Sequence, residues 1–142
     1  QVIENIFKES PFIEQIMVIG ADEKFTAAII CPSFHFLNGW AFLHQVKYRD
    51  TKELIKHPKV IERFRHEVEN INARLNPHEQ IKQFELTCTE WTPETGELSP
   101  TLKLRRNVVK NKYRVLFDRI YGYTDADGHL QAPKTNPDFK ED

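Results

Sequence analysis

Ile13-Glu14-Gln15-Ile16-Met17-Val18-Ile19, then a polar turn Gly20-Ala21-Asp22-Glu23-Lys24, then Phe25-Thr26-Ala27-Ala28-Ile29-Ile30-Cys31-Pro32, is the stretch that decides the fold. Both runs are rich in β-branched residues and are bounded by residues that punctuate structure, so they read as two strands joined in an antiparallel hairpin. Apolar residues fall on successive positions rather than alternate ones, which predicts that at least one of the strands is covered on both faces. The rest of the chain reads mostly as helices.

Upstream, Val2, Ile3, Ile6 and Phe7 have helical spacing, and Ser10-Pro11 stops the helix because the residue before a proline avoids the α conformation. Downstream, Ser33 can cap a helix carrying Phe34, Leu37, Trp40 and Ala41 on one side, weakened at Gly39. A short helix is expected near 50–57, with Asp50 or Thr51 as its cap. The clearest helix runs over 58–75, where Val60, Ile61, Phe64, Val68, Ile71 and Leu75 form one apolar stripe and Asn76-Pro77 ends it. Residues 81–88 alternate, with Phe84, Leu86 and Cys88 on one face and Gln83, Glu85 and Thr87 on the other, as in a half-buried third strand. Thr92-Pro93-Glu94-Thr95-Gly96-Glu97 is turn chemistry, and a last helix is expected over 105–121 with Val108, Val109, Tyr113, Leu116, Phe117 and Ile120 inward. This succession of elements predicts an α+β domain with a small antiparallel or mixed sheet of about three strands packed with helices. The polar stretch 122–142 reads as a tail with few core residues.

A length of 142 residues, 39% apolar and 29% charged, fits one globular domain and argues against disorder. Two cysteines, Cys31 and Cys88, are too few for a disulfide scaffold or a four-cysteine zinc site, which favours a reducing, cytoplasmic setting. No apolar run approaches the ~20 residues that span a bilayer. The chain opens on Gln1 and its one methionine is Met17, so it reads as a piece of a larger protein.

The net charge of −1 conceals an asymmetry. Lys103, Arg105, Arg106, Lys110, Lys112 and Arg114 place six cations within twelve residues that hold no acid. Such a run is most often the solvated face of a helix, and its functional reading is attraction to phosphates. Just ahead of it, the Gly96 turn and Pro100 are expected to put Lys103 on an exposed, non-helical segment where a long ammonium can reach outward.

The stretch from Gly96 to Arg106, GELSPTLKLRR, resembles the C-terminal catalytic-lysine motif of AMP-forming acyl-CoA synthetases, in the variant Pro-Thr-x-Lys-x-Arg-Arg that resembles the long-chain fatty-acid–CoA ligases. The segments 10–20, SPFIEQIMVIG, and 25–32, FTAAIICP, are similar to the same family. The resemblance covers 1–121 and implies the C-terminal lid domain of a two-domain enzyme, whose large N-terminal adenylation domain holds ATP and the fatty acid. It implies formation of an acyl-adenylate and pyrophosphate, then displacement of AMP by the thiol of CoA. ATP and CoA are substrates, Mg2+ accompanies ATP in the full-length enzyme, and none of these is bound by this chain alone. The chain's five glycines form no phosphate-cradling loop, in agreement with a nucleotide pocket elsewhere.

On this resemblance Lys103 is the catalytic cation, stabilising charge at the transferring phosphoryl group rather than moving a proton. Arg105 and Arg106 are secondary, phosphate-proximal candidates, with capping or solvation of the helix as their plainer roles. Family members outside the long-chain group carry Gly-Lys ahead of a differently spaced basic pair, and alignment on the arginines would put Leu102 at the lysine. A leucine cannot neutralise charge, so Lys103 is preferred. The hinge and the loop that meet CoA lie upstream of Gln1, so no CoA-contacting residue is carried over. The expected partners are the protein's own N-terminal domain and its small-molecule substrates, without nucleic acid, and with room for peripheral membrane association of the full-length enzyme. The alternative is a non-catalytic α+β module whose basic helix binds nucleic acid or an acidic partner.

Other chemistry finds little support. His35 lies four residues after Cys31, and further histidines stand at 44, 57, 66 and 78, but no pair has a ligand spacing with further donors nearby, so no metal is expected. Asp125-Ala126-Asp127-Gly128 has the opening of a calcium loop, yet Asn136 stands at the twelfth position where a glutamate is needed, and the segment reads as a turn.

Overall fold

The computed structural model describes residues 2–20 and 23–122. The expected tail, apart from Gly122, and the turn at 125–128 lie outside the described residues.

Two strands, β1 (Ile13–Ile19) and β2 (Ala27–Pro32), pair antiparallel with Ile16 opposite Ile30 and Ile19 opposite Ala27. The third, β3 (Gln83–Leu86), lies on the other side of β2 and runs parallel to it, giving a mixed sheet of order β1-β2-β3. A parallel neighbour needs a long crossover, and the chain between β2 and β3 provides it as α2 (Phe34–Leu43), α3 (Thr51–Lys56) and α4 (Pro58–Asn72). Helix α1 (Val2–Phe7) precedes the sheet, and α5 (Arg106–Lys112) and α6 (Arg114–Tyr121) follow it.

Every residue of β2 is buried, as its unbroken apolar run predicts. The pleat sends Ala28 and Ile30 into one core with Ile16, Leu86, Phe7, Leu37, Leu54, Val60 and Phe64, which lies under α1 to α4. Ile29 and Cys31 point the other way and join Met17, Trp91, Leu98, Val109 and Phe117 beneath α5 and α6. Helices thus cover both faces of a three-stranded sheet.

The structure trims several expected boundaries, each for a visible reason. Strand β2 starts at Ala27 rather than Phe25, because the Phe25 carbonyl is drawn to α6, where it accepts from the Tyr121 hydroxyl at 2.9 Å. Helix α4 ends at Asn72 rather than Leu75. The Asn72 amide there pairs with both backbone groups of Ile81, at 2.8 and 2.9 Å, and so closes the link to β3. The third strand spans 83–86 rather than 81–88, and its alternation fails just past it, since Thr87 is buried. Ser33 occupies the first cap of α2 without a side-chain hydrogen bond, whereas Asp50 does cap α3, accepting from Glu53 N–H at 2.9 Å.

The largest departure is in the last helix, which is two helices broken at Tyr113 (φ −110°, ψ 25°). The Tyr113 hydroxyl donates to a buried carboxylate, Glu97, at 2.8 Å and accepts from Trp91 Nε1–H at 3.1 Å. These two hydrogen bonds hold the half-buried Tyr113 side chain at the break.

Candidate functional site

Lys103 stands on a small hairpin that leads into α5. Leu98 and Leu104 face each other in an antiparallel bridge, and Arg105 N–H donates to the Glu97 carbonyl at 2.8 Å. Three residues, Pro100, Thr101 and Leu102, make the tip. Ser99 closes it from both sides: its N–H donates to the Lys103 carbonyl at 2.8 Å and its Oγ accepts from Lys103 N–H at 3.0 Å. The Lys103 backbone is therefore fixed while its side chain is exposed, and among the described residues its ammonium makes no hydrogen bond or ion pair. Neither of two cavities, of about 630 and 400 Å³ and both beside β3, includes Lys103.

Leu102, immediately before the lysine, adopts φ +65° and is 61% exposed. A three-residue hairpin loop commonly places a left-handed residue at this position, and glycine is the residue that takes it without strain. Leucine there pays a steric cost of about 1–2 kcal/mol that an exposed side chain does not recover by packing. Leu102→Gly is expected to raise folding stability by about 0.5–1 kcal/mol, since the added freedom of the unfolded glycine offsets part of the relief. A higher urea midpoint checks it; a lower one contradicts it.

Beneath the hairpin lies Glu97, fully buried. Gly96, at φ +97°, turns the chain so that this carboxylate enters the core. It pairs with Lys112 Nζ at 2.9 Å and accepts from the hydroxyls of Tyr113 and Thr95. Burial works to raise the Glu97 carboxyl, but the hydrogen bonds from Lys112, Thr95 and Tyr113 outweigh it and hold it below the usual carboxylate range. Burial, reinforced by the neighbouring Glu97 charge, pushes the Tyr113 hydroxyl up to about 12. The network ties the root of the Lys103 hairpin to the break between α5 and α6.

The two arginine candidates part company. Arg105 is exposed at the start of α5 and its guanidinium has no partner among the described residues. Arg106 is held by Glu4, a buried carboxylate on α1 that also accepts from Val18 N–H at 2.7 Å on the outer edge of β1. Arg106 thereby fastens α5 to the first helix and strand. With Lys112 on Glu97 and Arg106 on Glu4, the basic run is partly consumed inside the domain, which weakens its reading as a nucleic-acid surface.

Glu4, Glu97, Trp91 and Tyr113 were not among the candidates read from the sequence. No periodicity connects Glu97 with Lys112 or Glu4 with Arg106; the one legible hint is a lone acid between Gly96 and Leu98, at a turn. Among the described residues no group of three or more His, Cys, Asp or Glu is placed to hold a metal ion.

Comparison with known proteins gives a consistent picture. The family model described as AMP-binding enzyme C-terminal domain matches residues 1–125. Long-chain-fatty-acid–CoA ligase FadD15 of Mycobacterium tuberculosis is 29% identical over 127 residues, covering 84% of this chain and 20% of the relative. Long chain acyl-CoA synthetase 8 of Arabidopsis thaliana is 26% identical over 123 residues, covering 84% of this chain and 17% of the relative. The chain thus spans about a fifth of the length of the curated relatives it matches. The A domain of the carboxylic acid reductase from Segniliparus rugosus, solved in complex with AMP and a carboxylic acid, superposes with a TM-score of 0.64. It is 20% identical, and the match covers 85% of this chain and 17% of that one. At that identity the likeness shows the fold, a small mixed sheet between helices.

Proposed function

The chain belongs to the AMP-binding enzyme C-terminal domain family, and we propose that it is the catalytic lid of a long-chain fatty-acid–CoA ligase, with Lys103 as the cation of the adenylation step. The observation that carries this reading is Lys103 itself: a backbone fixed by two hydrogen bonds to Ser99 and an ammonium left free at the surface. The relatives' names supply the substrate class, a long-chain fatty acid.

In adenylate formation a fatty carboxylate attacks the α-phosphorus of ATP, the bond to the bridging oxygen breaks, and pyrophosphate leaves. Negative charge crowds the transferring group most in the transition state, so a preplaced ammonium stabilises that state more than the separated reactants. In the second half-reaction the thiol of CoA attacks the acyl carbonyl and AMP departs. Residues 1–121 form the lid in this reading, and ATP, its Mg2+, the fatty acid and CoA are held by the protein's own large domain or between the two.

The conformation of Leu102 supports Lys103 over the alternative register. The family's Gly-Lys pair puts a glycine before the lysine, and Leu102 has the left-handed backbone that favours glycine. Arg105 remains a secondary contact to phosphate, while Arg106 serves the Glu4 pair. No helix among the described residues is long and apolar enough to cross a membrane; a cytoplasmic enzyme is the setting we propose.

The test is an assay of the full-length protein with ATP, Mg2+, CoA and a long-chain fatty acid. Formation of acyl-CoA with release of AMP and pyrophosphate is the expected result. Release of ADP, or acyl-CoA formation by the 142-residue chain alone, would contradict the reading.

A further inference from the structure

The Lys103 ammonium has no partner among the described residues, so the point from which it reaches outward is set by its backbone alone. One side chain does part of that setting. In a plain hairpin rung the Lys103 N–H would donate to the carbonyl across from it, that of Ser99. Here the Ser99 carbonyl accepts instead from Leu102 N–H at 2.8 Å, which closes the turn. The Ser99 hydroxyl takes over: its Oγ accepts from Lys103 N–H at 3.0 Å, while Ser99 N–H donates to the Lys103 carbonyl at 2.8 Å. Half of the rung that carries the lysine is therefore made by a side chain.

Two features make that hydrogen bond matter. Leu102, directly before the lysine, holds φ +65°, a conformation that a leucine avoids and keeps only while the bonds around it hold. The lower rungs, the Leu98–Leu104 bridge and the bond from Arg105 N–H to the Glu97 carbonyl, are anchored by buried Leu98 and Glu97, and they leave the tip dependent on Ser99. Ser99 is itself half-buried, and its Oγ lies 3.1 Å from the Thr101 hydroxyl, so one short side chain joins the tip to the lysine. A hydroxyl on Cβ can accept from the Lys103 N–H and still donate to Thr101; a methyl group can do neither.

We propose that Ser99 is a positioning residue for adenylate formation, its hydroxyl presetting the backbone from which the Lys103 ammonium reaches the transferring phosphoryl group. The inference rests on the role given to Lys103 above. It adds that the adenylation rate depends on a side chain that acts through the lysine's backbone and not on the ammonium itself. A preorganised cation works by being in place before charge develops. Displacing its base slows the reaction without removing the charge, so the loss falls on the rate constant of the first half-reaction more than on KM for ATP.

Pyrophosphate release by the full-length protein with ATP, Mg2+ and a long-chain fatty acid measures the first half-reaction, and thioester formation from supplied acyl-adenylate and CoA measures the second. Ser99→Ala is expected to slow the first about tenfold, near the upper end for one neutral hydrogen bond, and to leave the second unchanged. Ser99→Thr keeps the hydroxyl and is expected to run close to the unmodified rate. In a Lys103→Ala background Ser99→Ala is expected to add nothing, because the group it positions is gone. Equal losses in both halves, which a merely weakened fold would give, would overturn the proposal. So would an undiminished first half in Ser99→Ala, a Ser99→Thr as slow as Ser99→Ala, or a full further loss on top of Lys103→Ala. Each of these leaves Lys103 in its role as long as Lys103→Ala alone is slow in the first half. If Lys103→Ala keeps its full rate there, the role of Lys103 falls and this inference with it.

Discussion

Glu97→Ala is expected to lower folding stability by about 3 kcal/mol, read as a fall in urea midpoint at unchanged slope. The carboxylate is fully buried and holds Lys112, Tyr113 and Thr95 at once. Its loss leaves the half-buried Tyr113 hydroxyl without its acceptor and a lysine without its counter-charge, while the exposed Thr95 hydroxyl keeps its contacts with Thr92. Breaking a buried pair typically costs about 3–5 kcal/mol. The Lys112 side chain is 42% exposed and can regain water, which places the loss at the lower end. Glu97→Gln keeps the volume and an acceptor for Tyr113, so its cost is expected nearer 1–2 kcal/mol. A change for Glu97→Ala within about 0.5 kcal/mol, the range of ordinary surface substitutions, would contradict the role given to this residue.

The same network shapes the pH dependence. In the folded domain the Glu97 carboxyl lies below its ordinary value of 4.5, so the folded state takes up that proton less readily than the unfolded chain. Its contribution is present above about pH 4.5 and is lost as the pH falls through the folded value. In Glu97→Gln that acid-side loss should shrink. At the alkaline end the sign reverses. Burial pushes Cys31 from 9.0 up to about 11 and Tyr113 from 10.0 up to about 12. Their contributions are therefore present below about pH 9 and 10 and are lost as the pH rises towards 11 and 12.

Lys103→Ala in the full-length protein is expected to slow adenylate formation by about 10²–10³, corresponding to about 3–4 kcal/mol of transition-state stabilisation from one preorganised contact. The variant should fold normally, since the side chain is exposed and has no partner among the described residues. The effect should fall on the rate constant more than on ATP binding, because the phosphoryl group gathers its greatest charge only as the carboxylate attacks. Lys103→Arg keeps the charge but not the compact ammonium, and is expected to recover only part of the rate.

How much of this was legible in the sequence depends on whether the cause was local. Strand β1 was found at its observed bounds, and the two-sided burial of β2 followed from its unbroken apolar run, because strand burial is written into the side chains themselves. The exposed, non-helical placement of Lys103 followed likewise from Gly96 and Pro100. What escaped was long-range. The break at Tyr113 belongs to a carboxylate sixteen residues upstream, and Arg106 is spoken for by Glu4, 102 residues away. Pairings of that kind leave no period in the chain. The left-handed turn at Leu102 escaped for a different reason: leucine is a poor choice there, so composition points away from the conformation that the hairpin imposes.

The most direct test of the central claim compares the two half-reactions in full-length Lys103→Ala, isolating the second by supplying acyl-adenylate and CoA. A cation serving phosphoryl transfer alone predicts adenylate formation reduced by about 10²–10³ with thioester formation close to that of the unmodified enzyme. Equal losses in both halves, or none in either, would contradict it.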